Sequence, residues 1–372
     1  MAMEMPKHQQ LYEDLRRKVL GGKYGGEVPF PSEAQIARRC GYSRTTIRKA
    51  LDELRHDGLI SCRQGKPARV TESVQARTFG LILPGVARYE YFQPIATELT
   101  RIAQEEHCVF LFANVDTIDP ERLRQNVREL AADFIRRRVA GVVYHPIEFA
   151  SMDDTTNVDI VNVFRRAEIP VVLLDSDVVV PPQSSGCDVV SIDNVHAAER
   201  LAGHLLGAGA KNVNVLMLPK FFPNMIERVR GVTNAALAAG LRWSDGNVLA
   251  AEPTDERAVR AFMRRRPRPE SFVCQNDAMA VAFAKTLQKL GYSVPDDVML
   301  AGFDGMDISR LATPSLTTVE QPYVELSRTV FDVLLRRVLR PKDPPVVTLL
   351  PHKLVLRASS QRTEKVKGNR GV

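Results

Sequence analysis

The stretch Ser43-Arg44-Thr45-Thr46-Ile47-Arg48 opens an amphipathic segment that continues to Leu54. Ile47, Ala50, Leu51 and Leu54 fall at i, i+3, i+4 and i+7, so they share one helix face. Ser43 stands where an N-cap belongs. Arg44, Thr45, Thr46 and Arg48 then crowd the other flank of the first turn and a half. Helix N-termini already favour anions, and a guanidinium can grip a guanine edge with two hydrogen bonds. The chemistry expected here is contact with phosphates and base edges. A solvated basic helix end is the plainer alternative, and the neighbouring residues decide between them.

A second set of polar residues follows strand-like runs further along: Asp116, His145, Asp175, Asp277 and Asp304. Parallel sheets bind ligands beyond the carboxyl ends of their strands, where these residues would stand. Catalytic and cofactor signatures are missing from the chain. There is no G-x-G-x-x-G after the first strand and no G-x-x-x-x-G-K-[ST] anywhere. The glycines of Gly207-Ala208-Gly209 follow a helical run and read as its C-terminal stop. No His, Cys and carboxylate cluster has metal-ligand spacing, and no Ser or Cys sits in a nucleophile elbow. No enzyme activity, no cofactor and no metal are expected.

The elements that must position these groups fall into two blocks of unequal charge. The chain has 372 residues, of which 44% are hydrophobic and 26% charged, enough for two or three globular domains. Residues 1–78 hold 15 Lys and Arg against 9 Asp and Glu, a net of +6. Residues 357–372 hold five bases and one acid, a net of +4, which leaves 79–356 near −3. A basic head on a mildly acidic body suggests that the head meets a polyanion. The five cysteines are scattered without a CxxC pair, so no disulfide framework is indicated. With no run of 18 apolar residues and no signal-peptide core in the first ten residues, a cytoplasmic protein away from any membrane is expected.

In the head, Leu11, Leu15, Val19 and Leu20 stripe a first helix that Gly21-Gly22 would end. Ser32 caps a second, with Ile36, Ala37 and Cys40 inward and Gly41 closing it. Gly41-Tyr42 turns into the segment described first, which makes a helix-turn-helix. Short strands around 59–63 and 68–71 would form a hairpin whose tip carries Gln64, Gly65 and Lys66. Polar residues 72–78 read as a linker. From residue 79, Val- and Leu-rich runs alternate with amphipathic helical stretches, the pattern of parallel sheets covered on both faces.

Residues 10–71 resemble the winged helix-turn-helix of the GntR family. The matching residues are Pro31-Ser32-Glu33, Ser43 to Arg48, Leu51, Leu54, Gly58-Leu59 and Gln64-Gly65. The resemblance implies that the recognition helix enters the major groove of double-stranded DNA and the wing tip the minor groove. Ser43, Arg44, Thr45, Thr46, Arg48, Gln64, Gly65 and Lys66 would then face DNA. The family usually has Arg after Pro-x-Glu; this chain has Ala34, so that DNA contact is either absent or supplied by Arg38.

The body resembles the effector-binding core of LacI/GalR regulators, itself similar to periplasmic sugar-binding proteins. The resemblance rests on the segments "IPVVLLDSD", "VVSIDNVHAAERLAGHLLGAGAKNV", "RVRGVTNAALAAGL", "QNDAMAVAFAKTLQKLGYSVPDDVMLAGFDG", "PSLTTVEQP" and "LVLRASS". It implies an α/β fold with two lobes that close on a small molecule, crossed by the chain near 182–188, 318–322 and 341–347. The expected effector contacts are Tyr91, Phe92, His145, Asp175, Asn224, Arg228, Asn276, Asp277 and Asp304. Helix capping is the alternative for Asn276 or Asp277, core packing for Tyr91-Phe92, and a structural histidine for His145. Ser176 stands where sugar-binding relatives often carry Arg.

The domains are therefore expected at 1–71 (winged helix-turn-helix), 72–78 (linker), 79–357 (two-lobed effector and dimerisation core of helix-covered parallel sheets) and 358–372 (basic tail). The pairing is similar to regulators of the arabinose-repressor type. It implies a homodimeric repressor on a palindromic operator, released by a small sugar-like effector. A core that binds another kind of effector, or that only dimerises, stays open.

Overall fold

The computed structural model describes residues 5–20, 23–24, 28–62, 68–70, 78–85, 90–113, 115, 117, 119–148, 154–220 and 222–362. In the head, α1 (Lys7–Leu20) buries Leu11, Leu15 and Val19 on its apolar stripe. Ser32 caps α2 (Glu33–Cys40) through a capping box with Gln35, and Gly41 closes it at φ 67°. The next helix, α3 (Arg44–His56), buries Ile47, Ala50, Leu51 and Leu54, the face read from their spacing. Strands β1 (Ile60–Ser61) and β2 (Arg69–Val70) pair antiparallel, with Ile60 opposite Val70. The hairpin tip with Gln64, Gly65 and Lys66 lies outside the described residues, as do Gly21-Gly22 and Asp116.

Lobe one carries β3 (Thr78–Ile82), α4 (Phe92–Glu105), β4 (Val109–Leu111), α5 (Pro120–Arg136), β5 (Val142–Tyr144), α6 (Thr156–Arg166), β6 (Val171–Leu174) and β7 (Asp188–Ile192). Lobe two takes α7 (Asn194–Gly207), β8 (Asn214–Met217), α8 (Pro223–Ala238), β9 (Val248–Ala250), α9 (Glu256–Met263), β10 (Ser271–Cys274), α10 (Asp277–Lys289), β11 (Met299–Asp304), α11 (Asp307–Leu311) and β12 (Thr317–Glu320). The chain then returns to lobe one for α12 (Tyr323–Leu339) and β13 (Val347–Leu350), and ends in lobe two with β14 (Lys353–Val355). Lobe one's sheet runs β13-β7-β6-β5-β3-β4, all parallel. Lobe two's runs β14-β12-β11-β10-β8-β9, parallel except for β14. Strands such as β6 and β10 are buried along their whole length, as helix-covered parallel strands must be.

Four boundaries differ from expectation. The lobe crossings lie between β7 and α7, between β12 and α12, and between β13 and β14. Only the middle one falls where the sequence placed it. The others sit later because Asp188–Ile192 and Val347–Leu350 still pair within lobe one. The core begins at Thr78, which pairs with Val109, so the expected linker loses its last residue. It also runs past 357. Ser359 Oγ donates to Leu300 O at 2.7 Å and accepts from Thr317 N at 2.8 Å, and Ser360 is buried beside it. Residues 358–360 are thus core, not tail.

Candidate functional site

On the head, the N-terminus of α3 is open and capped by its own hydroxyls. Ser43 Oγ accepts from Thr46 N at 3.2 Å and lies 2.8 Å from Thr46 Oγ1. Those two hydroxyls hold the helix start in shape, which leaves its outward chemistry to Arg44, Thr45 and Arg48, all exposed. Arg48 Nε rests 3.6 Å from Glu33 of α2 with its side chain 73% exposed, a loose pair that a phosphate can replace. Arg38 is exposed on α2, so Ala34 leaves a neighbouring cation in reach of the same side.

Between the lobes lies a cleft of about 480 Å³. Lobe one supplies Tyr91, Phe92, His145 and Asp175; lobe two supplies Asn224, Arg228, Asn276 and Asp304. Eight of the nine residues named from the sequence therefore line one cavity. Asp277 is the exception and is a correction. It opens α10 but points into lobe two, where Thr318 Oγ1 donates to one carboxylate oxygen at 2.6 Å and Met306 N to the other at 2.8 Å. Burial and the nearby Asp304 push its carboxyl well above the usual range. It ties α10 to the loop after β11 and to β12. Asn276 does cap α10, accepting from Met279 N at 2.9 Å, and it lines the cleft as well.

The position of Arg228 follows from close helix packing. A Cβ on Gly231 would lie 2.1 Å from Val195 O, so only glycine lets α8 lie this near to α7. The approach brings Arg228 Nε to Asn194 Oδ1 at 2.8 Å, while another of its nitrogens donates to Gln275 O at 2.8 Å. The guanidinium carbon also stands 4.0 Å from the centre of the Phe303 ring, a cation–π contact. Arg228 is 5% exposed and held on three sides.

Two aspartates stand at strand ends beside the cleft, Asp175 just after β6 and Asp304 as the last residue of β11, and both have left-handed backbones, at φ 71° and φ 101°. Such strain in non-glycine residues concentrates at functional sites. Burial raises the Asp304 carboxyl to about 6, against the pull of Arg228 and with a push from Asp175. Gln321 Nε2 donates to it at 3.0 Å, and the Tyr323 hydroxyl donates to its carbonyl at 2.8 Å. Asp175 is also buried, yet the neighbouring His145 and Arg228 hold it below the usual carboxylate value. His145 Nε2 is 3.6 Å from its carboxylate, and Nδ1 lies 2.9 Å from Pro146 O. Tyr91 and Phe92 are both cleft wall and core: their rings meet edge to face at 5.1 Å, and Phe92 meets His145 at 4.8 Å.

Besides the Tyr323–Asp304 hydrogen bond, two contacts from the start of α8 and the residues before it join the lobes across the cleft. Asn224 Nδ2 donates to Asp175 at 2.6 Å, and Lys220 pairs with Glu148. Three buried polar atoms on the lining residues have no hydrogen-bond partner: Tyr91 Oη, Asp175 Oδ1 and Asn224 Oδ1. Residues that the sequence alone did not single out complete the site: Asn194, Gln275, Gln321, Tyr323, Lys220 and Glu148. Asn194, Gln275 and Gln321 lie within segments quoted for the resemblance, whereas Tyr323, Lys220 and Glu148 carried no signal of spacing. Among the described residues no group of His, Cys and carboxylates is placed to hold a metal ion, and no helix is long and apolar enough to cross a membrane.

Known proteins match this architecture along most of the chain. The gntR family of bacterial regulatory proteins matches residues 7–70, and the periplasmic binding protein-like domain matches 202–360. The arabinose metabolism transcriptional repressor of Geobacillus stearothermophilus is 24% identical over 347 residues, 90% of this chain and 92% of its own. The HTH-type transcriptional repressor PurR of Photobacterium profundum is 25% identical over 87% of this chain and 97% of its own. Among solved structures, the transcriptional regulator CelR bound to cellobiose covers 89% of this chain, with all of its own chain matched, at TM-score 0.66 and 19% identity. The regulator CcpA of Lactococcus lactis covers 77%, with 99% of its own chain matched, at TM-score 0.64 and 24% identity. The chain thus carries a gntR-type helix-turn-helix domain at 7–70 and a periplasmic binding protein-like domain at 202–360, and along most of its length it is similar to transcriptional repressors of this two-part build.

Proposed function

We propose that this chain is a cytoplasmic transcriptional repressor that acts by binding and not by catalysis. A homodimer holds a two-fold operator through two copies of α3 and releases it when a neutral, hydroxyl-rich molecule of sugar size fills the cleft. The hydrogen-bond inventory of the cleft carries the ligand reading. Asp175 Oδ1, Asn224 Oδ1 and Tyr91 Oη are buried without partners, and the Asp304 carboxylate stands beside them. The Asp175 and Asn224 oxygens are acceptors, costly when buried unpaired, and the Tyr91 hydroxyl can donate or accept, so the favoured ligand brings groups that do both, as hydroxyls do. The cations of the cleft are largely committed: Arg228 to Asn194 and Gln275, Lys220 to Glu148. An anionic ligand would meet two acidic side chains with little free positive charge to offset them. Aromatic edges of Tyr91 and Phe92 suit the C–H face of a sugar. The relative named for arabinose metabolism and the solved regulator complexes with cellobiose and ribose support the same class.

A ligand can shift DNA affinity only by its differential affinity for two states. The Asn224–Asp175 and Lys220–Glu148 contacts are where such states would differ, because each spans the lobes. The domain limits supported by the packing are 7–70 for the head and 78–360 for the core. Selection of tight-binding duplexes from random DNA, followed by footprinting, tests the reading. The expected result is two inverted half-sites about one helical turn apart, protected at nanomolar protein and freed by one neutral sugar. A single asymmetric site, or protection indifferent to every sugar, defeats it.

A further inference from the structure

The head and the core meet through ion pairs of opposite sense. Arg16 of α1 lies 3.5 Å from Glu106 and 3.6 Å from Asp332 of the core. In return Arg340, which caps the end of α12, reaches Asp57 of the head at 2.5 Å and His56 Nδ1 at 2.7 Å. Asp57 also accepts the Tyr12 hydroxyl from α1, so the head's two outer helices converge on that carboxylate. Between the pairs the backbones close in: a Cβ on Gly58 would sit 3.1 Å from Leu339 O. Leu59 and Leu335 belong to one apolar cluster that runs from the head into lobe one. A cavity of about 590 Å³ remains, lined from both modules. Matched charges of both signs, a close backbone approach and shared apolar burial make this an interface and not a chance touch of a tethered domain.

Except for Glu106, the core residues in these pairs and contacts lie on α12 or its cap: Asp332, Leu335, Leu339 and Arg340. The other end of the same helix lies against the cleft. Tyr323, its first residue, donates its hydroxyl to Asp304 O at 2.8 Å, and its ring centre is 5.6 Å from that of Tyr91. A helix of 17 residues spans roughly 25 Å, so one rigid element joins the cleft to the head.

We propose that the C-terminal end of α12 is a docking surface for this chain's own DNA-binding head, and that α12 and the head move as one unit. A displacement of Tyr323 at the cleft then reorients α3 directly, without passing through residues 71–77. The docking itself does not depend on which ligand fills the cleft. Because the contact is built on ion pairs at a partly solvated seam, it weakens with salt.

Hydrogen–deuterium exchange on the full chain tests this, with readouts across the seam from each substitution. Arg340→Glu, on the core side, is expected to speed exchange about tenfold in head residues 11–19 and 54–60. Arg16→Gln, on the head side, is expected to do the same in core residues 332–340. Strands 271–274 and 299–304 of lobe two report that the core is still folded, and their exchange should not change. Raising wild-type protein to about 0.5 M salt should loosen the same two seam segments. Exchange across the seam that matches wild type in both folded variants overturns the proposal.

Discussion

The head and the cleft use arginine in opposite ways. Arg44 and Arg48 stand exposed at the start of α3, with Arg48 held only by a loose pair to Glu33. Arg228 is buried and already bonded to Asn194, Gln275 and the Phe303 ring. The first arrangement reserves donor capacity for a partner that arrives with its own negative charge. The second fixes a guanidinium beside the cleft, so that under the proposed function its remaining edge would meet a small molecule without rearrangement and with less entropy lost on binding. Removing an exposed arginine should therefore alter binding alone, whereas removing the buried one should alter binding and folding together.

The largest effect is expected from Arg228→Ala. It leaves the Asn194 amide oxygen and the Gln275 carbonyl buried without their donor and opens a gap against Phe303. A stability loss of roughly 3 kcal/mol, with loss of ligand response, should appear in denaturant titration and calorimetry. Arg44→Ala comes next: operator affinity should fall by about 1–3 kcal/mol, seen in fluorescence anisotropy, with an unchanged melting temperature. If melting falls as well, Arg44 is part of the head's packing and the contrast between the two arginines fails.

Asp304 sharpens the comparison through pH. Its folded carboxyl titrates at about 6, above the ordinary 3.8, because burial penalises the charge. The linked stability is present in full below the unfolded value and is lost as pH rises through about 6. Unliganded wild type should thus gain stability between pH 7 and pH 5 relative to Asp304→Asn. Ligand affinity should move the other way if ligand hydroxyls donate to the carboxylate, weakening by up to about tenfold per pH unit below 6. A flat affinity profile in wild type would remove Asp304 from the contacts. The smallest effect is expected from Ser43→Ala, which costs about 1 kcal/mol of head stability by removing the N-cap of α3. Circular dichroism of thermal unfolding measures it.

Local pattern explains what the sequence made legible. The apolar stripe of α3 and its serine cap depend on residues within four of one another, and both hold in the structure. So do the buried parallel strands, whose continuous apolar runs need no partner to be recognised. Asp175 and Asp304 were legible as polar residues following apolar strand-like runs, and Arg228 only through resemblance to a family with a ligand-contacting arginine in that segment. What escaped depends on distant approach. Asn194 matters because Gly231 lets α8 press on α7, and Gln321 because a lobe crossing passes behind Asp304. Asp277 looked like a strand-end carboxylate but spends both oxygens within lobe two. The outer lobe crossings were placed too early because an apolar run does not say which sheet it joins. β9, α9 and α12 were not singled out, although Leu326, Val330, Phe331, Leu334 and Leu335 have helical spacing. Nothing in that stripe announces that one end of α12 meets the ligand cleft and the other the head.

The most direct test of the ligand reading is thermal unfolding of the full chain against matched neutral sugars, sugar acids and sugar phosphates, in wild type and Asp304→Ala. A ligand at a hundred times its dissociation constant adds about 2.7 kcal/mol to the folded state. The cleft predicts a raised midpoint with at least one neutral sugar, a smaller or absent shift with its acid and phosphate counterparts, and loss of the shift in Asp304→Ala. A midpoint raised by the charged compounds alone, or a neutral-sugar shift that survives Asp304→Ala, would contradict it.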